Sequence, residues 1–192
     1  MLPTQIIKEF ARAHIELTEE DLTLIDKVLE VRQVPKKTIL VEEGRTMREI
    51  YFVSKGCIRL FYNKDGEEIT GLFFTENQFA ASLDSFLRQV PSTQVLETLE
   101  PCELLVLHYN QLQWVYRKFP KFERMGRLVV EQRYVIAQQM LSSYILHSPE
   151  ERYQQLMTEQ PELLQRIPQH YIASYLGITP VSLSRIRKRI FS

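Results

Sequence analysis

Apolar and polar positions repeat with three textures along the chain. Leu22, Ile25, Val28 and Leu29 fall on one side of a helix opened by Thr18-Glu-Glu-Asp21, which reads as a capping box. From about Val31 to Leu107 short apolar or alternating runs take over: Thr38–Val41, Ile50–Val53, Cys57–Tyr62, Glu68–Phe74, Gln94–Thr98 and Glu103–His108. Between them stand Glu43-Gly44, Ser54-Lys55-Gly56 and Asn63-Lys64-Asp65-Gly66, which are turn and hairpin signals. This spacing predicts at least six strands in a sandwich or jelly roll, with Asp84–Gln89 as a short helical interruption. The helical period then returns. Tyr109–Arg117 reads as a helix stopped before Pro120, and a long helix follows from about Lys121 to Leu146. Met125, Leu128, Val129, Val135, Ile136 and Met140 form a stripe along it, broken by Gln132. Near-heptad spacing of this kind suits a dimerisation helix, or packing against the chain's own β domain.

Ser148-Pro149-Glu150-Glu151 opens another helix: Ser as cap, Pro at the first position, Glu three residues after the cap. It sets the expected units at 1–118 (β sensor), 119–147 (long helix) and 148–192 (C-terminal domain). Inside the last unit, Ile172, Leu176, Leu183 and Ile186 give two short helices facing apolar sides. Ala173 is small enough for close approach, and Gly177 follows Leu176 where the chain must turn. Thr179 caps the second helix and Pro180 starts it. Left outside are Ser182, Ser184, Arg185, Lys188 and Arg189, hydroxyls and cations that suit base edges and phosphates in a major groove. The bland counterpart is a helical hairpin with a solvated basic face.

Charge sharpens this picture. The 192 residues carry 24 cations and 24 anions, yet no Asp or Glu follows Glu162. Arg166, Arg185, Arg187, Lys188 and Arg189 give residues 163–192 a net charge of +5, and 0 − 5 leaves −5 on the remainder. A basic end on a mildly acidic body fits a nucleic-acid reader joined to a sensor. Hydrophobic content of 44% is that of a globular chain, with no apolar run of membrane-span length. Met-Leu-Pro-Thr-Gln lacks a signal-peptide pattern, so a cytoplasmic, non-membrane protein is expected. Cys57 and Cys102 flank apolar runs and read as buried reduced thiols. His14, His108, His147 and His170 make no close ligand pair, so no metal site is expected. A metal-dependent cupin enzyme would need clustered His and Glu on neighbouring strands, and the roll offers only His108.

The order helix, jelly roll, long helix, helix-turn-helix resembles the Crp/Fnr family of bacterial transcription regulators over essentially the whole chain. Ile50-Tyr-Phe-Val-Ser-Lys-Gly-Cys-Ile-Arg59 carries the resemblance in the roll, and Tyr171–Arg189 carries it at the end. The wording Tyr171-Ile-Ala-Ser-Tyr-Leu-Gly-Ile-Thr-Pro180 is similar to a branch common in Bacteroidetes. The resemblance implies an α+β fold with a cyclic-nucleotide-binding-like roll, a homodimer, duplex DNA as partner and RNA polymerase as a candidate partner. It also implies DNA contact by Thr179 with the five residues named above.

Departures from the family matter as much. Nucleotide-binding members carry a Gly-Glu pair and, further on, an Arg-Ser/Thr pair in a phosphate cassette. Here Ala81-Ser82 and Ser92-Thr93 stand there, and Arg88 is out of step. A cyclic phosphate would lack its counter-charge, so ordinary cyclic AMP recognition is expected to be lost and no cofactor is assigned. A more apolar ligand would meet Phe73, Phe79, Leu83 and Phe86, which otherwise fill a core. The early Arg-Glu pair of the family's recognition helix is replaced by Pro180-Val181, whereas Arg185 keeps the late position. The chain stops at Ser192, so the β-hairpin wing that usually follows is expected to be missing. The alternative reading is a degenerate sensor that binds protein rather than DNA.

Overall fold

The computed structural model describes residues 3–191. Two helices, α1 (Pro3–Arg12) and α2 (Glu19–Val28), lead into a sandwich of two four-stranded antiparallel sheets. The first sheet is ordered β1 (Glu30–Val34), β8 (Cys102–His108), β3 (Glu49–Lys55), β6 (Phe79–Ala80). The second is ordered β2 (Ile39–Val41), β7 (Val95–Thr98), β4 (Ile58–Lys64), β5 (Glu67–Phe74). A short helix, α3 (Leu83–Arg88), interrupts the strands. Then come α4 (Tyr109–Lys118), the long α5 (Lys121–Leu146), and α6 (Pro149–Glu159), α7 (Pro161–Arg166), α8 (Gln169–Tyr175) and α9 (Pro180–Ile190).

Between the sheets lie Met47, Tyr51, Val53, Ile58, Leu60, Phe74, Phe86, Leu96, Leu104 and Val106. The first sheet is covered outside as well. Phe52 and Leu105 meet Ile7 and Ala11 of α1 and Val115 of α4. Burial on both faces is why Ile50–Val53 reads as a continuous apolar run rather than an alternating one. The capping box at Thr18 forms: Asp21 N–H donates to the Thr18 hydroxyl, and Thr18 N–H donates back to the Asp21 carboxylate. Lys121 Nζ also reaches that carboxylate and ties α5 to α2.

Ser148 forms the second capping box with Glu151. Beyond it Tyr153, Leu156, Leu163, Ile167, Ile172, Ala173, Leu176, Leu183 and Ile186 share one apolar cluster. Cys57 and Leu99 of the sandwich belong to the same cluster, so the C-terminal helices are seated on the second sheet. Four elements lie outside the expected pattern. α1 is amphipathic and buries Ile7 and Ala11; α7 is short; β1 is a charged edge strand; β6 has two residues.

Both cysteines are buried free thiols, as expected. Burial pushes the Cys57 thiol up to about 12 and the Cys102 thiol up to about 11. Gly56 is required beside them: its φ is +111°, and a Cβ there would lie 2.5 Å from Cys102 Sγ.

Candidate nucleic-acid interface and effector pocket

The end of α8 shows how the chain makes its turn. Ile178 N–H donates to Ala173 C=O and Gly177 N–H to Ser174 C=O, both at 3.0 Å. Those two bonds close a Schellman motif around Gly177, whose φ of +68° is cheap only for glycine. Thr179 then caps α9 by accepting from Ser182 N–H at 3.2 Å. On α9, Leu183 and Ile186 face the cluster, whereas Val181, Ser184, Arg185, Lys188 and Arg189 face solvent. Ser182 and Arg187 are half-buried. The Ser182 hydroxyl lies 3.0 Å from that of Thr179, so both side chains serve the cap first.

The basic end is less free than its charge count implies. Arg166 Nη1 bonds Glu76 Oε2 at 2.9 Å, and Nη2 reaches Glu76 and Glu100, all on the sandwich side. These hydrogen bonds raise the Arg166 pKa and hold its charge away from α9. Arg189 Nη2 pairs with Glu150 Oε2 at 2.5 Å, so α9 is tied to the start of α6. Neither pairing has a sequence signal, because both cross long stretches of chain.

The cassette positions separate in space. Ala81, Ser82 and Ser92 are buried, and the two serine hydroxyls share a hydrogen bond at 2.8 Å. Ser82 N–H points at Met47 Sδ, 3.1 Å away, and Met47 is 1% exposed. Ser85 Oγ accepts from Met47 N–H, and Gln89 donates to Met47 C=O, so α3 clamps the methionine in place. Arg88 lies on the surface, paired with Asp84 at 3.0 Å, and Thr93 is exposed. The polar groups expected round a phosphate are therefore satisfied by the chain itself or turned to solvent.

The aromatic set also divides. Phe79, Leu83 and Phe86 line an apolar cavity of about 120 Å³ shared with α2, α4 and α5. Phe73 is not with them: its ring faces Tyr175 of α8 at 5.3 Å. Phe73 stands on the outer face of β5, one step out of register with the inward Phe74.

The long helix presents two rows. Met125 packs with the α1–α2–α4 cluster, and Val129, Ile136 and Met140 turn towards the chain's own cleft. Leu128 is half-buried and Val135 is exposed. The outward apolar row is instead Val130, Tyr134, Leu141 and Ile145, with Ala137 between. The stripe in the sequence mixes these two faces, since α5 has apolar residues on both.

Residues 31–119 match the cyclic nucleotide-binding domain family. No curated protein matches the chain. The fold is similar to that of a Crp/Fnr-family regulator from Eubacterium rectale: TM-score 0.72 and 16% identity, over 90% of this chain and 83% of that one. It is likewise similar to CLP, the c-di-GMP-responsive global regulator of Xanthomonas campestris, at TM-score 0.71 and 18% identity over 88% and 89%. FixK2 from Bradyrhizobium japonicum superposes at TM-score 0.71 with 17% identity, over 85% of each chain. At these identities the likeness is one of fold: a β-sandwich of the cyclic nucleotide-binding kind, a long helix and further helices.

Proposed function

We propose that the chain is a sequence-specific transcription regulator that grips duplex DNA as a homodimer, with α9 as recognition helix. One observation carries the reading: α9 is buried on Leu183 and Ile186 and solvent-exposed on Val181, Ser184, Arg185 and Lys188. That exposed row has the i, i+3, i+4, i+7 spacing of a single face and holds no acidic residue. Arg185 reads a guanine, Val181 contacts a thymine methyl, and Ser184 and Lys188 contact bases or phosphate. Thr179, Ser182 and Arg189 sit at the margins of this footprint, where their first duty is to hold the helix. Residues 148–192 form the reader, 1–118 the sensor, and 119–147 join the two subunits.

The dimer seam is Val130, Tyr134, Ala137, Leu141 and Ile145 on α5, which alternates steps of four and three before its last step of four. Pairing there would set two α9 helices about one DNA turn, roughly 34 Å, apart. The effector pocket is degenerate towards cyclic nucleotides, because Met47 and the Ser82–Ser92 pair fill the cassette. RNA polymerase is the natural second partner of such a regulator.

The test is selection from random duplex DNA by the purified, ligand-free chain at about 0.1 M salt. A palindrome with half-sites about ten base pairs apart is the expected recovery. No enriched sequence, together with no salt-sensitive retention of DNA, would favour a sensor that binds protein instead.

A further inference from the structure

One side chain joins the ends of two helices. Arg152 of α6 donates from Nη1 to His147 C=O at 2.7 Å and from Nη2 to Leu176 C=O at 2.8 Å. His147 is the C-cap of α5, and Leu176 is the C-cap of α8. Tyr144, in the last turn of α5, makes a second tie. Its hydroxyl donates to Tyr175 C=O, and the Arg152 guanidinium lies 4.6 Å from the centroid of its ring. The turn after α8 is shaped to admit that ring. A Cβ on Gly177 would lie 3.1 Å from Tyr144 Cε1, so glycine serves the close approach as well as the left-handed φ.

The Schellman bonds around Gly177 use the carbonyls of Ala173 and Ser174, which leaves those of Tyr175 and Leu176 for other donors. Tyr144 and Arg152 supply them. A cation is favoured at a helix C-terminus, and here one guanidinium serves two such ends. That accounts for a cation that meets carbonyls instead of a carboxylate, with Nε buried and without an acceptor among the described residues. Its donors point along fixed directions in one plane, so bonding both carbonyls fixes the angle between α5 and the turn that launches α9. We infer that Arg152 and Tyr144 are positioning residues for DNA recognition: they hold α9 at a set angle to α5, and so fix the half-site spacing that the dimer accepts. The inference rests on the regulator reading, since spacing has meaning only for paired readers. Base reading itself stays with the exposed face of α9.

Two measurements on the full chain test this, the first without DNA. Spin labels at Gln138→Cys on α5 and Ser184→Cys on α9 report the angle, while the buried Cys57 and Cys102 stay unlabelled. Labelled chain is diluted into unlabelled chain, so that pairs within one chain dominate. The parent sequence should give one narrow distance distribution. Arg152→Gln and Tyr144→Phe should each broaden it, and Arg152→Lys, which can keep one bond, should broaden it less. The second measurement is affinity for the selected palindrome with one base pair added or removed between its half-sites. That shift of about 3.4 Å should cost wild type at least about tenfold, and each variant less than about threefold. Single-base changes inside a half-site should cost variants and wild type the same. A merely structural role would weaken all sites alike and leave the spacing penalty in place. Tyr144→Phe keeps the ring and decides the matter if Arg152→Gln does not fold. A distribution no broader in the variants, or a spacing penalty as steep as that of wild type, would overturn the inference. Failure of wild type to select any DNA would sink the regulator reading instead, and the label distances would then judge the clamp by themselves.

Discussion

The Arg59 guanidinium lies 3.9 Å from the centroid of the Tyr171 ring and 4.2 Å from that of Phe61. Arg59 is fully buried, donates from Nε to Thr70 Oγ1 at 2.9 Å, and pairs through Nη1 with Glu68 at 2.6 Å. A strand residue of the sandwich is thus stacked against a residue of α8. Ser174 reinforces the seam by accepting from Thr70 N–H and donating to Glu68 C=O at the edge of β5. Tyr171→Leu keeps apolar bulk but removes the ring, and should cost about 0.5–2 kcal/mol of docking. Hydrogen exchange of α8 amides should accelerate accordingly. Unchanged exchange and an unchanged melting temperature would show that the stack contributes nothing.

The Arg166–Glu76 pair makes that seam pH-dependent. Burial pushes the Glu76 carboxyl up, but hydrogen bonds from Arg166 and from Gly56 N–H outweigh it, so its pKa falls below the ordinary 4.5. A carboxylate with a depressed folded pKa binds protons more weakly folded than unfolded. Its stabilisation is therefore complete above pH 4.5 and is lost as pH drops through the lower, folded value. The difference in thermal stability between wild type and Arg166→Gln should be steady at neutral pH and shrink on acidification. A difference that persists unchanged in acid would assign the effect to packing rather than charge.

Much of this architecture is legible in one dimension, and the illegible parts share a cause. Thr18, Ser148, Gly177 and Thr179 act locally, so their caps and turn stand where the residues announce them. Arg59 lies in an apolar run as if inside the sandwich, but alternation turns it outward, and only α8 explains why it is buried. Arg166 looks like part of a basic tail, and its acidic partners at Glu76 and Glu100 come from distant loops. The α5 stripe was ambiguous because one helix serves two surfaces. α1 had a readable signal in Ile6, Ile7, Phe10 and Ala11 at helical spacing, although the segment is short.

Cyclic AMP should show no saturable binding to the purified chain by calorimetry at micromolar concentrations. The reason is steric as well as electrostatic. Ser92→Arg alone should not restore binding, because Met47 still occupies the space before Ser82 N–H and Ser82 is not an acid. Micromolar affinity in the wild type would contradict the filled cassette.

Leu141 is 55% exposed and Ile145 is 70% exposed on the outward row of α5. Leu141→Glu would place like charges face to face in a symmetric pair of helices, with no partner to neutralise them. Sedimentation should show a dimer in wild type and a monomer in the variant, with unchanged helix content. A wild-type monomer at tens of micromolar, or a variant that still dimerises, would move the interface off this row.

Arg185 and Lys188 share the exposed face of α9 but should fail differently. A guanidinium set bidentate on a guanine discriminates by about 1–3 kcal/mol, so Arg185→Ala should weaken the selected site and relax preference at one base pair. An ammonium on phosphate carries no sequence information. Lys188→Ala should weaken every duplex alike and lower the slope of log affinity against log salt by about 1. Anisotropy titrations of the selected site and its single-base variants, at several salt concentrations, separate the two outcomes. Equal loss of affinity for all sequences in both variants would make Arg185 a phosphate contact and move base reading to Val181 and Ser184.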